Sequence, residues 1–282
     1  MNAIISSIQT SFSNDLVQYQ KRIDANTQPI FQNEVLPLDS FDFFNNQNLV
    51  GIVYANIGYF VIVGILMTIM KMEGMEAFDM KNFMRVYNLV CVCLAGYVVF
   101  GVIKHKVNYA SGTFVCNDFD ITSEEGKQLA YVLWVYYMQK YVEFFDTFVM
   151  ILRQRWRQVS FLHLYHHSSI TFVTAAFITF DINGDCYLAA LANSFIHVCM
   201  YGHYFLASLG VKTWWKPYLT MMQLIQFTIC WFQSCYSYYL GSHCGYGEWL
   251  KVLMIIYQSS MFALFMQFYK KTYTKKKKTK KQ

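Results

Sequence analysis

The sequence predicts an all-α membrane protein, and three observations lead to that class. Of the 282 residues, 55% are hydrophobic, and the mean hydropathy is positive at +0.25. Only 14% of the residues are charged, whereas soluble domains carry about 25%. The apolar residues also come in long runs of roughly 20, the length that a helix needs to cross a bilayer. A single helical membrane domain is therefore expected.

About seven runs have this length, and together they define the expected membrane domain, residues 49–270. Residues 1–48 are polar and mixed, so they are expected to form a loose N-terminal segment with one short amphipathic piece near 41–44. Residues 1–20 lack the basic start and apolar core of a cleavable signal peptide, so the first run is expected to act as a signal-anchor. The predicted spans are 49–70, 86–103, 129–152, 160–180, 186–209, 217–240 and 249–269.

Positive charge predicts the orientation of the bundle, because cytosolic loops are enriched in Lys and Arg. The loop 153–157 is basic, the loop after the fifth span contains Lys212 and Lys216, and residues 270–282 hold eight lysines and no acid. With seven spans these segments share one side, which predicts a cytosolic C-terminus and a lumenal N-terminal segment. The net charge is +6, and the eight lysines of the tail leave a charge of −2 on the rest of the chain. The membrane domain therefore has no excess of positive charge, and no nucleic-acid partner is expected.

The basic tail, residues 271–282, also ends in a pattern typical of dilysine retrieval signals. Lys278 and Lys280 stand at the fifth and third positions from the end. Such signals are read by receptors and do not anchor a protein. The pattern favours residence in the endoplasmic reticulum membrane.

The third span carries an unusual polar cluster made of Lys140, Glu143, Asp146 and Thr147. Spacings of three and four residues place side chains on one face of a helix. A lysine among carboxylates neutralises itself in a low-dielectric bundle, where charges must be paired. The cluster is either an ion pair that holds helices together or a support for catalysis, and the two roles are compatible.

His163, His166 and His167 form a second cluster within the next span, on one helical face. Three interpretations are open at this point. The imidazoles could be metal ligands, a nucleophile and base that titrate near neutrality, or hydrogen-bonded core histidines. Polar groups within a membrane span are costly and commonly functional, so three on one turn favour a functional site.

The fifth and sixth spans carry further polar stripes. Asn193, His197 and Tyr201 follow one another at intervals of four residues, with Tyr204 near the same stripe, and Gln223 and Gln226 lie on the next span. Four neighbouring spans therefore each present one polar face and an otherwise apolar surface. This pattern predicts an interior polar chamber with apolar space for an apolar substrate.

Basic residues stand at the predicted cytosolic mouth of that chamber. They are suited to hold the phosphates of a carrier such as coenzyme A, although each is equally explained by membrane orientation alone. The candidates for phosphate binding are Arg153, Arg155, Arg157 and Lys216.

Two of the eight cysteines, Cys116 and Cys244, fall in predicted loops on the same side of the membrane. On the oxidising lumenal side they could form a disulfide, and two unpaired thiols are the alternative. None of the cysteines has zinc-like spacing.

The polar clusters resemble the motifs of the ELO family of very-long-chain fatty acid elongases, in the family's order and spacing. The matching motifs are K-x-x-E-x-x-D-T at 140–147, H-x-x-H-H at 163–167, N-x-x-x-H-x-x-M-Y at 193–201 and T-x-x-Q-x-x-Q at 220–226. The chain departs from the family at Gly202-His203-Tyr204, just after the third motif, where family members often have other, frequently aromatic, residues. This departure concerns the local shape of the pocket.

The resemblance implies a condensing enzyme that joins a long-chain acyl-CoA to malonyl-CoA and gives 3-oxoacyl-CoA, CoA and CO2. It implies that six of seven helices form an inverted-repeat barrel around a tunnel closed at the lumenal end, with the acyl chain carried on His166. It implies no metal and no tightly bound cofactor. A ketoacyl-CoA reductase, a dehydratase and an enoyl reductase are the expected partners, and a homodimer is possible within the family.

The chemistry assigns a role to each group within this scheme. His163, His167 and the Glu143/Asp146 pair would set the tautomer and basicity of the His166 imidazole. An enolate formed from malonyl-CoA needs hydrogen-bond donors, for which His197 and Asn193 are the candidates. The residues expected to position the thioester are Tyr201, Gln223 and Gln226.

Two other classes of membrane protein compete with this interpretation. A di-iron desaturase or hydroxylase also uses histidine boxes, but it needs about eight histidine ligands, and this chain has seven histidines in all. A seven-helix transporter or receptor would explain the spans but not four ordered motifs.

Overall fold

The computed structural model describes residues 2–24, 49–109, 113–117, 123–180, 185–241, 244 and 247–274, and all regular structure in them is helical. The α-helices are α1 (Asn2–Asp24), α2 (Leu49–Met70), α3 (Lys81–Tyr109), α4 (Glu124–Val142), α5 (Phe144–Leu152), α6 (Phe161–Phe180), α7 (Cys186–Ser208), α8 (Leu219–Tyr239) and α9 (Glu248–Tyr269). A 3-10 turn (Lys216–Tyr218) precedes α8, and a π-helical turn (Lys270–Thr274) follows α9.

These helices agree with the all-α membrane class. Three of them are long and apolar enough to cross a membrane by length and composition, over Gly51–Met70, Lys81–Lys106 and Glu248–Thr272. The remaining predicted spans coincide with α4–α5, α6, α7 and α8, which are helical but carry the polar motifs. The structure is therefore consistent with an all-α membrane protein, and the seven-span barrel stays a prediction.

The N-terminal segment is more ordered than its composition predicts. Residues 2–24, expected to be loose, form α1. Ile4, Ile8 and Phe12 recur every four residues, and the stripe is stabilised by contact with α9, where the Phe12 ring packs edge-on against Trp249 with centroids 5.1 Å apart. Short amphipathic helices depend on such tertiary packing, and composition alone did not reveal the partner. The expected amphipathic piece at 41–44 lies outside the described residues.

Close packing of α3 on α4 depends on Gly101. A Cβ atom at this position would lie 2.6 Å from Cγ2 of Val132, a separation that forces the helices apart. Small residues let helix backbones approach closely in membranes. Behind this contact lies the main apolar core, to which α3, α4, α6, α7, α8 and α9 all contribute.

The third predicted span is broken into two helices. The amide of Glu143 still donates to Gln139 at 3.0 Å, but the amide of Asp146 turns to the carbonyl of Glu143, only three residues back, at 3.1 Å. Short three-residue hydrogen bonds tighten a helix and commonly mark functional sites. The break between α4 and α5 lies at Glu143, whose side chain is fully buried.

The loops between α3 and α4 and between α8 and α9 meet at one end of the bundle. Here the structure joins Cys116 to Cys244 by a disulfide that spans 128 residues of sequence. The Asp185 carboxylate, just before α7, accepts hydrogen bonds from the backbone amides of Cys116 and Asn117 at 2.7 and 2.9 Å. Buried Lys251 donates to the carbonyl of Ser237 in the last turn of α8 at 3.2 Å and to that of Gly241, just after the helix, at 2.9 Å. This end of the bundle is therefore closed by covalent and polar contacts.

Candidate active site

A buried ion pair lies where α4 gives way to α5. The Lys140 ammonium lies 3.0 and 3.3 Å from the two carboxylate oxygens of Glu143, and neither side chain is more than 1% exposed. The same carboxylate accepts a hydrogen bond from Gln139 at 3.0 Å and lies 2.8 Å from Nδ1 of His197. A buried carboxylate is costly unless it is paired, and here three side chains surround it.

Asn193 extends this network to the wall of a pocket. Its side-chain oxygen accepts hydrogen bonds from Lys140 at 2.8 Å and from the Tyr136 hydroxyl at 3.2 Å. The Lys140 ammonium also lies 4.5 Å from the centre of the Tyr136 ring, which is within cation–π range. Because both acceptor positions of the oxygen are used, the NH2 group of Asn193 is the part of the amide that can donate toward a ligand.

The other two residues of the first motif bind neighbouring helices. The Thr147 hydroxyl lies 2.8 Å from Nε2 of His163 and 2.8 Å from the hydroxyl of Tyr59 in α2. Asp146 accepts a 2.5 Å hydrogen bond from the Tyr201 hydroxyl in α7. The polar cluster of α4–α5 therefore contacts α2, α6 and α7, as expected if it joins helices.

The three histidines of α6 do not share one environment. The rings of His163 and His167, one turn apart, lie 4.3 Å from centroid to centroid. His166 faces α9 instead, and its Nδ1 lies 3.3 Å from the Tyr257 hydroxyl. A helix places residues i and i+4 almost in line and i+3 to one side, which explains why the middle histidine alone turns toward α9.

A mostly apolar pocket begins at His166 and runs between α4, α6, α7, α8 and α9. It follows α6 from His166 to Ile178, about 18 Å at 1.5 Å per residue. Polar groups on its wall include Asn193, Gln226 and Gln258. Its apolar wall is formed by Leu133, Ile170, Val173, Phe177, Ile178, Ala189, Ala190, Phe227 and Met254. Such a pocket is suited to an extended apolar chain with one polar end.

Only part of the predicted site lines this pocket. His166, Asn193 and Gln226 are on its wall, and Lys140 reaches it through Asn193. Other predicted residues contact one another behind the wall or lie beyond it, and these are His163, His167, His197, Glu143, Asp146, Tyr201 and Gln223.

The residues expected at the cytosolic mouth lie outside the pocket. Arg155, Arg157 and Lys216 are exposed, and the Arg153 guanidinium lies 2.7 Å from the Met84 sulfur. Tyr204 is 44% exposed, and its ring packs edge-on against Tyr201. Their role in phosphate or substrate binding stays a prediction.

Two tyrosines of the site were not singled out from the sequence. Tyr257 contacts His166 and Tyr136 contacts Asn193, and both line the pocket. Each stands within an apolar run where a tyrosine is typical core, so nothing local distinguishes it. The only available signal was for Tyr136, which stands four residues before Lys140 on one helical face. Tyr257 offered none, because α9 carries no motif.

The histidine rings are held by other side chains. Thr147, Tyr257 and Glu143 each lie within hydrogen-bond distance of one ring nitrogen, on His163, His166 and His197 respectively. Within the described ranges, no three side chains of His, Cys, Asp or Glu converge as a metal site would require.

Comparison with known proteins connects this site to a family. Residues 44–281 match the ELO: GNS1/SUR4 family. The very long chain fatty acid elongase 4 of Macaca mulatta is 35% identical over 214 residues, which cover 74% of this chain and 67% of the relative. The very long chain fatty acid elongase 2 of Mus musculus is 32% identical over 209 residues, covering 73% and 70%. Fatty acid elongase 5 of Leishmania major is 32% identical over 231 residues, covering 81% and 86%.

The family match includes all four polar motifs and the whole described bundle from α2 onward. The identity to the relatives extends over about three quarters of the chain or more. The resemblance inferred from the motifs is therefore confirmed, and the chain belongs to the ELO family.

Proposed function

We propose that this protein is a fatty acid elongase that condenses a long-chain acyl-CoA with malonyl-CoA to give 3-oxoacyl-CoA, CoA and CO2. Family membership and the names of the relatives support fatty acid elongation. The observation that carries the finer proposal is the position of His166, a nucleophile at one end of a mostly apolar pocket. The apolar lining of that pocket suits an acyl chain, and a thioester at the chain's end would meet the imidazole.

In the first half-reaction His166 accepts the acyl group. We assign the proton of neutral His166 to Nδ1, where the Tyr257 hydroxyl oxygen, 3.3 Å away, can accept its hydrogen bond. Nε2 then has the free electron pair and attacks the thioester carbonyl carbon. The carbon–sulfur bond breaks, and CoA leaves as a thiolate that takes up a proton. The acyl group stays on Nε2 while Nδ1 keeps its proton.

In the second half-reaction malonyl-CoA supplies the carbon nucleophile. Loss of CO2 leaves the bonding electrons on the remaining two-carbon unit as an enolate. Its carbon attacks the acyl carbonyl, and neutral imidazole leaves. Asn193 has an NH2 group available at the pocket wall and His197 lies behind it, so they are our candidates for holding the enolate oxygen.

The buried ion pair organises these donors. Glu143 holds Nδ1 of His197, and Lys140 holds the oxygen of Asn193, so one pair fixes the orientation of both. His167 packs edge-on against His166, with centroids 5.4 Å apart, and His163 packs on His167 in turn, so the two would keep the His166 ring in place. Tyr201, Tyr204, Gln223 and Gln226 would position the rest of the substrate.

The cellular setting is part of the same proposal. Seven spans, six of them in a barrel around the tunnel, would place the tail 271–282 in the cytosol and residues 1–48 in the lumen of the endoplasmic reticulum. The basic residues Arg153, Arg155, Arg157 and Lys216 would then face the CoA phosphates. The partners would be a ketoacyl-CoA reductase, a dehydratase and an enoyl reductase, with membrane lipid around the bundle and no tightly bound cofactor.

The test is a microsomal assay with radiolabelled malonyl-CoA and a panel of C16 to C20 acyl-CoAs. Label should appear in chain-extended products with the wild type and disappear with His166→Ala. The matched control is His105→Gln, which changes a buried histidine bonded to Glu125 outside the pocket and motifs and should retain activity. Retained activity in His166→Ala would exclude the acyl-imidazole step. No label with any acyl-CoA would exclude condensation and bring the di-iron hypothesis forward.

A further inference from the structure

Gln258 of α9 is a buried amide that the proposed reaction has not used. It lines the pocket and is 4% exposed. Among the residues that the structure describes, its NH2 group has only the Met254 sulfur as an acceptor, at 3.5 Å, and its oxygen has no hydrogen-bond partner. Sulfur is a weak acceptor, and a buried oxygen without a donor costs about 1–3 kcal/mol. The amide is therefore poorly satisfied unless a ligand completes it.

The neighbours of Gln258 on α9 place it at the level of the reacting histidine. Tyr257, one residue before, contacts His166. Ser260, two residues after, lies 2.8 Å from the Tyr165 hydroxyl. Since α6 and α9 run in opposite directions at these contacts, Gln258 lies beside the end of the pocket where a thioester would meet the imidazole.

The substrate offers few groups that could satisfy this oxygen. An unsubstituted acyl chain has no hydrogen-bond donor, and a thioester has only acceptors. The donor nearest the sulfur in any acyl-CoA is the amide N–H of the pantetheine arm, two carbon atoms away. An amide oxygen at the level of His166 is complementary to that N–H in both chemistry and position.

We infer that Gln258 is a substrate-binding residue whose side-chain oxygen accepts the N–H of the pantetheine amide nearest the thioester. The inference rests on the proposed function, since it needs an acyl-CoA in the pocket. The contact would hold the sulfur end of the substrate against α9 while the acyl chain extends along α6. Its effect would be on the fit of the thioester to His166, because Gln258 contacts no reacting atom.

The experiment compares two acyl donors on each protein. One is the natural acyl-CoA, and the other is the analogue whose pantetheine amide nitrogen next to the thioester arm is replaced by oxygen, which removes the N–H and little else. The proteins are the wild type, Gln258→Met and the matched control Gln267→Met. Gln267 is on the same helix, is exposed and is not part of the pocket wall.

The wild type should use the natural donor roughly tenfold better in kcat/KM, as expected for one hydrogen bond to a buried group. Gln267→Met should keep that preference. Gln258→Met should lose it, because its kcat/KM with the natural donor should fall to the value that the wild type shows with the analogue. The ratio is measured within one protein, so a change in protein stability does not alter it.

Two results would overturn the inference. A wild type that uses both donors equally makes no contact with the N–H, whatever the variants do. If Gln258→Met keeps the tenfold preference, the N–H of the substrate is bound by another residue. Neither result affects the elongase proposal, which fails only if the wild type extends no acyl-CoA at all.

Discussion

Nδ1 of His197 lies 2.8 Å from the carboxylate of Glu143, although 54 residues separate them in sequence. Glu143 stands at the break between α4 and α5, and His197 is in the middle of α7. The contact therefore connects the interruption of one helix to a histidine on another. In the proposed reaction, this contact would make the break part of the arrangement that orients His197.

Glu143→Gln should abolish elongation and also lower stability. The amide keeps the shape of the carboxylate but leaves Lys140 buried without an opposite charge, which costs about 3–5 kcal/mol. Thermal unfolding in detergent should show the loss, and the microsomal assay should show no chain extension. A stable and active variant would contradict the assigned role.

Replacing both members of the pair separates stability from catalysis. Lys140→Met combined with Glu143→Gln removes both charges, and exchange of a buried ion pair for uncharged residues is commonly neutral or stabilising. The double variant should regain most of the unfolding temperature lost by the single variant and should stay inactive. Recovered activity would mean that the pair is purely structural.

Tyr257→Phe should lower kcat roughly tenfold and leave KM for the acyl-CoA unchanged. The variant loses the hydroxyl that holds Nδ1 of His166, and a hydrogen bond to a group that becomes charged is worth about 1.5 kcal/mol or more. The control is Tyr165→Phe, which loses a hydroxyl contact to Ser260 on the same pair of helices. If both variants behave alike, the effect belongs to helix packing.

Gly101→Ala should destabilise the protein by about 1–3 kcal/mol, because its methyl group has to displace Val132 in a packed interface. Gly96→Ala, on the same helix, meets nothing within 4 Å and should be neutral or stabilising by up to about 1 kcal/mol. Unfolding temperatures in detergent compare the two. Equal values would show that α3 does not approach α4 this closely.

Cys116→Ser should change migration on non-reducing gels and lower the unfolding temperature. In the chain-entropy account, a disulfide across 128 residues restricts the unfolded state by about 5 kcal/mol. Cys93→Ser, which replaces an exposed free cysteine, should change neither property. Labelling of denatured, unreduced protein with a maleimide polymer gives a second measurement, in which the wild type should gain no tag on Cys116 or Cys244.

The sequence predicts the local parts of this molecule well. Long apolar runs locate the helices, because helix length in a bilayer is fixed by its thickness. The pairing of Lys140 with Glu143 follows from their spacing of three residues. The contact between the His163 and His167 rings follows from a spacing of four. These relations depend only on helix geometry.

Relations across the bundle could not be predicted in the same way. Tyr257 lies 91 residues from His166, and its apolar neighbours make it look like ordinary core. The break at Glu143 leaves no mark in an apolar pattern that continues through it. Gln258 is one of several glutamines in the apolar spans. Only the packing shows that its side-chain oxygen is buried without a hydrogen-bond donor among the described residues.

The contact of α1 with α9 has a consequence for the order of assembly. α1 is made first and α9 last, and chains leave the ribosome from the N-terminus at about 5–20 residues per second. Phe12 of α1 therefore has no Trp249 to pack against until α9 has been synthesised. Cys116 waits in the same way for Cys244. The end of the bundle that carries both contacts is thus completed only after α9 has been synthesised, and α9 also supplies Met254, Tyr257 and Gln258 to the pocket wall.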